Sequence, residues 1–244
     1  MLSADETRRY ARHLVLKGIG GHGQQKLKAA RALVIGAGGL GSPVIAYLAA
    51  AGIGTLGVAD DDTVSLSNLQ RQVVHRTDAV GQPKVEGAAA FVAALNSNVH
   101  FVAHPVRLGG TNAAALLGGY DLVVDGSDNF DTRRSVAEAA EAARLSLVSG
   151  AVSMFDGQVT VFAPHLSRPD GRPNPGFADL YPETPDSEDL PSCEAVGVLG
   201  AVTGVVGTLM AMEAIKLVTG IGKPLIGRLL LYDGRAARFS EVNY

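Results

Sequence analysis

Gly36-Ala37-Gly38-Gly39-Leu40-Gly41 sets glycines in the G-x-G-x-x-G pattern directly after the apolar run 32–35 and at the head of the Ala-rich stretch 40–51. Glycine lets a backbone reach positive φ and come close to a phosphate, and free N–H groups at a helix start favour anionic oxygens. Asp60 closes the next apolar run, 55–59, about 20 residues on, where an acid can accept hydrogen bonds from ribose hydroxyls. Fingerprint, strand and terminal acid together imply a nucleotide.

The residues that follow are cationic and amide-rich: Ser67, Asn68, Arg71 and Gln72, then Lys84 at the start of another Ala-rich stretch. Hydride transfer to a nicotinamide needs no dense cationic clamp, whereas triphosphate chemistry does. Asp125-Gly-Ser-Asp128-Asn129 closes a further apolar run, at the sheet edge where α/β ligand sites lie. An Asp there can hold Mg²⁺ against phosphate oxygens. A lone loop arginine or a lysine at a helix start is ordinarily just solvated. Here each stands at a strand end or helix start on one sheet edge.

The elements that must position these residues read as alternating strands and helices. Residues 5–30 look helical and polar. Strands are expected at 32–35, 55–59, 99–106, 122–125 and 145–148, and helices at 40–51, 84–95 and 132–143. The alternation predicts one α/β domain with a mostly parallel sheet and helices on both faces. The chain of 244 residues is 47% apolar, enough for a core without staples. A single cysteine excludes a disulfide framework and a cysteine-built metal site, and fits the reducing cytoplasm. A net charge of −3 gives no footprint for nucleic acid.

Residues 163–192 hold seven of the eleven prolines, which predicts a long irregular loop, read as a mobile flap over a substrate or as a floppy insertion. Residues 196–212 carry no charge, but a helix of that length spans about 25 Å, short of the ~30 Å membrane core. It reads as a buried helix, with no membrane partner. Cys193 is either a small apolar filler or a thiolate near a helix start. His100 and His104 are four apart on a strand, ~13 Å, too far to share a metal. The other histidines have no interpretable spacing, and all six read as solvated or structural.

Taken together, Arg9-Tyr-Ala-Arg12, the 36–41 turn, Asp60-x-Asp62-x-Val64, Ser67-Asn-Leu-Gln-Arg71-Gln72, Gly81-Gln-Pro-Lys84, Asp125-x-x-Asp128-Asn129 and Gly157-Gln158 resemble the ThiF/MoeB/HesA family, bacterial relatives of ubiquitin-activating enzymes. The likeness runs from about residue 6 to 239. It implies a Rossmann-like fold with C-terminal antiparallel strands and a long crossover loop, a nucleotide-binding part at 30–150 and a carrier-binding part at 151–244. It implies a homodimeric adenylyltransferase that uses ATP and Mg²⁺ on the Gly-Gly carboxylate of a ubiquitin-like (β-grasp) sulfur-carrier protein, in thiamine, molybdopterin or a related pathway. In that reading Gly36, Gly38, Gly39 and Gly41 bring backbone to the phosphates and Asp60 holds the ribose. Ser67, Asn68, Arg71, Lys84 and Asn129 bind the nucleotide, and Asp128 positions Mg²⁺ and the reacting phosphate. Arg12 reaches into a neighbouring subunit, and Cys193 stands where some members link covalently to the carrier.

Many members also hold zinc through two Cys-x-x-Cys pairs. Here Gly176–Pro182 stands in the register of the first pair and the second is missing, so zinc is expected to be absent. Nor is there a rhodanese-like stretch, which points to a separate sulfur donor. A nicotinamide-dependent oxidoreductase and a non-catalytic carrier-binding scaffold are the alternatives. The oxidoreductase lacks a Tyr-x-x-x-Lys pair, and intact Arg71, Lys84 and Asp128 argue against the scaffold.

Overall fold

The computed structural model describes residues 1–183 and 196–244. Short apolar runs ending at Gly or Asp become buried parallel strands, as such runs should. These are β1 (Arg31–Ile35), β2 (Thr55–Ala59), β4 (Leu122–Asp125) and the start of β5 (Ser146–Ser153), with the partly exposed β3 (His100–His104) parallel at the sheet edge. Three antiparallel strands follow: β6 (Asp156–Phe162), β7 (Arg228–Asp233) and β8 (Arg238–Asn243). The sheet order is β3-β2-β1-β4-β5-β6-β7-β8, so the chain starts in the middle of the parallel half and reverses sides between β3 and β4. The carboxyl ends of β1, β2 and β4 therefore open on one edge, where Ile35 pairs with Ala59 and with Asp125.

Helices cover both faces. On one lie α3 (Gly20–Ala29), α4 (Gly41–Ala51), α5 (Lys84–Leu95) and α9 (Gly200–Thr219), around Val34, Leu56, Val58, Val124 and Val148. On the other lie α6 (Ala113–Leu117), α7 (Phe130–Ala142) and the single turn α8 (Phe177–Leu180), around Leu33, Ile35, Val123 and Leu147. Helix α9 is long and apolar enough to cross a membrane, yet it packs on α4 and β5 with Val206 and Met210 fully buried. Gly207 is what lets it come so close: a Cβ there would collide with the Pro43 ring and the Leu40 carbonyl of α4. Burial of side chains such as Met210 contributes about 1.5–3 kcal/mol each.

Several boundaries differ from the sequence reading, each for a local reason. Residues 5–30 break into α1 (Ala4–Arg9), α2 (Ala11–Leu14) and α3. Tyr10 interrupts the first two because its side chain turns inward, 3% exposed, to accept a hydrogen bond from Asn96 (2.8 Å). The strand expected at 99–106 stops at His104, because Pro105 has no N–H to continue the ladder. The strand expected at 145–148 runs on to Ser153, since it hairpins into β6 with Ser153 opposite Asp156. The helix expected at 196–212 is shifted to 200–219 and ends at Gly220, φ +79°.

The proline-rich stretch is also not wholly irregular. Gly176 donates its N–H to Asp179 (2.8 Å) to start α8, and Phe177 and Tyr181 pack with Phe130 and Phe162. Tyr181 accepts from Gln158 (2.7 Å). Tyr244 closes the cluster on Phe162 and bonds Thr160 (2.7 Å), its phenol pushed up to about 12 by burial. Aromatic pairing of this kind contributes ~0.5–1.5 kcal/mol per pair beyond burial. The segment around residues 176–181 is thus fastened to the helix that begins beside Asn129.

Candidate active site

A cleft of about 140 Å³ opens at the shared edge of β1, β2 and β4. Its first wall is the turn from β1 into α4. Gly36 takes φ +87°, and a Cβ there would press to 3.1 Å on the Gly126 carbonyl of the opposite wall. Gly38 and Gly39 line the cleft, with Thr203 and the Arg71 chain stem filling the space beside Gly39. The turn is gripped at Ala37 from two sides. Its N–H goes to the Asp60 carboxylate (2.7 Å) and its carbonyl accepts from His75 Nε2 (2.9 Å), so that nitrogen carries a proton.

The second wall is the excursion between β2 and α5, which closes on itself through Val64–Gln82 and Gly81–Val64 backbone bonds (2.8 Å each). This brings Lys84 back beside Asp62, with an ion pair of 2.9 Å and only 6% of the lysine exposed. Arg71 is half-buried and lines the cleft, one of its N–H groups on the Ser67 carbonyl (3.2 Å). Burial raises the Asp60 pKa above the usual carboxylate range, against the pull of Lys84 and the two backbone N–H bonds it accepts from Ala37 and Asp62.

The third wall is the turn from β4 into α7. Asp125 is fully buried, and burial pushes its carboxyl up. It accepts the Ser127 N–H (2.9 Å), while Arg133 donates to the Ser127 carbonyl (2.9 Å). Asp128 and Asn129 lie at the exposed rim, and Asn129 caps α7 by accepting from Thr132 N–H (2.8 Å). A cleft with glycine backbone and a helix start on one side, Arg71 and Lys84 on another and a carboxylate at the rim suits a polyphosphate.

The ThiF family model matches residues 10–244. The chain belongs to the ThiF family. It is 48% identical over 238 residues to a sulfur carrier protein adenylyltransferase of Thermus thermophilus, covering 98% of this chain and 87% of that one. It is 45% identical over 243 residues to the SAMP-activating enzyme E1 of Haloferax volcanii, covering 100% and 87%. Among solved structures, Escherichia coli MccB with MccA-N7isoASN superposes with a TM-score of 0.82 at 19% identity, over 99% of this chain and 72% of that one. That likeness is one of fold.

This ThiF-family chain brings Gly36, Gly38, Gly39, Asp60, Arg71, Lys84, Asp128 and Asn129 to one cleft. Other expected residues stand elsewhere. Gly41 does not line the cleft, and a Cβ there would fall on the Gly36 carbonyl oxygen, so the close packing of turn on helix requires a glycine at this position. Ser67 and Asn68 form a 3₁₀ turn beside the cleft without lining it. Arg12 is exposed on α2 and does not line its own chain's cleft. Cys193 lies outside the described residues.

Gln72, named in the amide-rich run, also lines the cleft, whereas sequence reasoning missed His75, Arg133 and Thr203 as parts of the site. His75 and Arg133 touch backbone carbonyls, which spacing does not reveal. Among the described residues Asp60, Asp61 and Asp62 come close enough to share a cation, but backbone N–H groups and Lys84 already engage Asp60 and Asp62.

Proposed function

We propose that this ThiF-family chain is an ATP-dependent adenylyltransferase acting on the C-terminal Gly-Gly carboxylate of a ubiquitin-like sulfur-carrier protein. The observation that carries the reading is the convergence of the glycine turn, Arg71, Lys84 and Asp128 on one cleft. Relatives named as a sulfur carrier protein adenylyltransferase and an E1 support the substrate class.

The carboxylate is already a nucleophile, so no side chain needs to become one. One of its oxygens bonds to the α-phosphorus of ATP, the bond from that phosphorus to the bridging oxygen breaks, and pyrophosphate leaves with the electron pair. The product is an acyl-adenylate. The glycine turn holds phosphate oxygens, Asp60 accepts from ribose hydroxyls with its remaining lone pairs, and Arg71 and Lys84 offset the charge that grows on the leaving pyrophosphate. Asn129 completes the nucleotide contacts at the rim, while Ser67 and Asn68 carry the turn from which Arg71 enters the cleft. Asp128 has a single 3.4 Å contact from Asn129 and is exposed at the rim, which fits a carboxylate that meets a divalent cation. Mg²⁺ bound there with ATP would neutralise phosphate charge.

The outward position of Arg12 supports a homodimer in which it serves the cleft of a second copy. The packing of Phe177 and Tyr181 in the register of the first cysteine pair supports a chain that holds no structural zinc. Sulfur then comes from a separate donor, with Cys193 a candidate for a covalent link to the carrier tail. Helix α9, buried in the core, supports work in the cytoplasm away from the membrane.

ATP–pyrophosphate exchange in the presence of a Gly-Gly-ending β-grasp protein tests the reading. Exchange is expected with the intact carrier and not with one lacking its last two glycines. Asp128→Ala should abolish it, and unchanged exchange would remove Asp128 from the mechanism.

A further inference from the structure

The turn bearing Ala37 and the turn bearing Ser127 are held by one device: an acid takes the amide N–H and a base donates to the carbonyl of the same residue. Asp60 and His75 do this at Ala37, Asp125 and Arg133 at Ser127. The first grip shapes a turn that faces phosphates. The second shapes the turn carrying Asp128, and Arg133 has no part in the chemistry above. We propose that Arg133 is a positioning residue for adenylation, acting through the Ser127 carbonyl to hold the Asp128 carboxylate at the cleft; this rests on the adenylyltransferase reading.

Three observations carry it. Arg133 stands in the first turn of α7 and lines the cleft. Its charge faces the buried Asp125 carboxylate, the partner a buried acid requires. Yet Asp125 Oδ2 and Arg133 Nε are both buried without a hydrogen-bond partner. A cation placed only to neutralise the core would close that direct pair, which is the stronger contact. Arg133 instead gives its terminal N–H to Ser127, one residue before Asp128. A planar guanidinium can reach a carbonyl while facing a carboxylate with its other edge, which the point charge of lysine cannot reproduce.

The experiment is a double-mutant cycle in the full chain, read by ATP–pyrophosphate exchange with a Gly-Gly carrier. Arg133→Met is expected to lower kcat roughly 30- to 100-fold with the ATP KM changed less than about threefold, and Arg133→Lys to recover only part of the loss. On an Asp128→Asn background, followed by single-turnover acyl-adenylate formation with enzyme in excess where residual rates can be read, Arg133→Met should cost less than about threefold further, because the effect runs through Asp128. Hydrogen–deuterium exchange without nucleotide supplies a second readout: the amides at 126–129 should exchange faster in Arg133→Met and the rest of the chain should match the parent.

A full, additive loss on the Asp128→Asn background would overturn the proposal, as would a loss carried wholly by the ATP KM or unchanged exchange at 126–129. Should Arg133→Met fail to fold, the same cycle with Arg133→Lys decides. A parent without exchange activity on any carrier would sink the adenylyltransferase reading, while amide exchange at 126–129 would still report on the grip.

Discussion

The two turns that wall the cleft share a grip but differ in what surrounds it. Around Ala37 there is no slack, because glycine backbone lies on glycine backbone: Gly36 abuts Gly126, and Gly126 abuts the amide of Gly41 at 3.0 Å from a would-be Cβ. Around Ser127 the contacts are polar, and three buried atoms, Asp125 Oδ2, Ser127 Oγ and Arg133 Nε, are left without a hydrogen-bond partner. Backbone packing is therefore the larger constraint on the glycine turn, and polar contacts the larger one on the Asp128 turn. Packing leaves no second arrangement. Incomplete polar pairing does: at Ala37 it touches only the base of the grip, His75 Nδ1, and neighbouring Gln72, whereas at Ser127 it reaches the acid, the base and the gripped residue itself.

Substitutions can break this contrast, the strongest first. Gly41→Ala should be the most damaging single methyl in the site, because backbone and not a side-chain tip stands in its way; a loss of at least ~3 kcal/mol by urea denaturation and loss of ATP binding are expected. On the other turn, Asn129→Ala removes only the cap on α7 and should cost about 1 kcal/mol in the same measurement. Comparable losses for the two would show that the Asp128 turn is as tightly packed as its neighbour.

The smallest effect is in pH. Burial, with Lys84 adding, holds the His75 imidazole below its ordinary value near 6.5, against the pull of the Ala37 carbonyl and Asp60. The unfolded chain then takes the proton first, so His75 makes the fold lose stability as pH drops through that value. Burial holds His104 and His165 low with the same sign, whereas it raises Asp60 and Asp125, whose contribution is lost as pH rises. The difference between parent and His75→Gln isolates the one ring. The variant should show a shallower fall in urea midpoint from pH 7.5 to 5.5, and parallel curves would separate the Ala37 grip from His75.

Much of the parallel half was legible because its signals are local. A buried strand, a glycine turn and a helix follow one another within twenty residues at 32–51, and Asp60 and Lys84 sit at element boundaries that periodicity marks. What escaped were contacts made across sequence. His75 and Arg133 reach carbonyls, and a carbonyl belongs to every residue, so no residue type announces the partner. Gly41 was read as bringing backbone to the phosphates, and only the approach to Gly36 reveals that packing of the turn on the helix also requires a glycine there. Strand β8, exposed along its whole length, has no alternation to find and was expected only through the family resemblance. The aromatic fastening at Phe177 and Tyr181 was hidden under prolines that argued for irregularity.

The space beside Gly39 is filled by Thr203, from the first turn of α9. The residues that build the cleft floor are made early, by the strands up to β4, but this lid of side chain comes from beyond the proline-rich stretch. Chains leave the ribosome N-terminus first at about 5–20 residues per second, so the strands that build the floor are made several seconds before α9, which completes the core above them. A complete nucleotide cleft is thus one of the last things the chain acquires. A copy interrupted before α9 is then expected to hold ATP less tightly than the finished molecule.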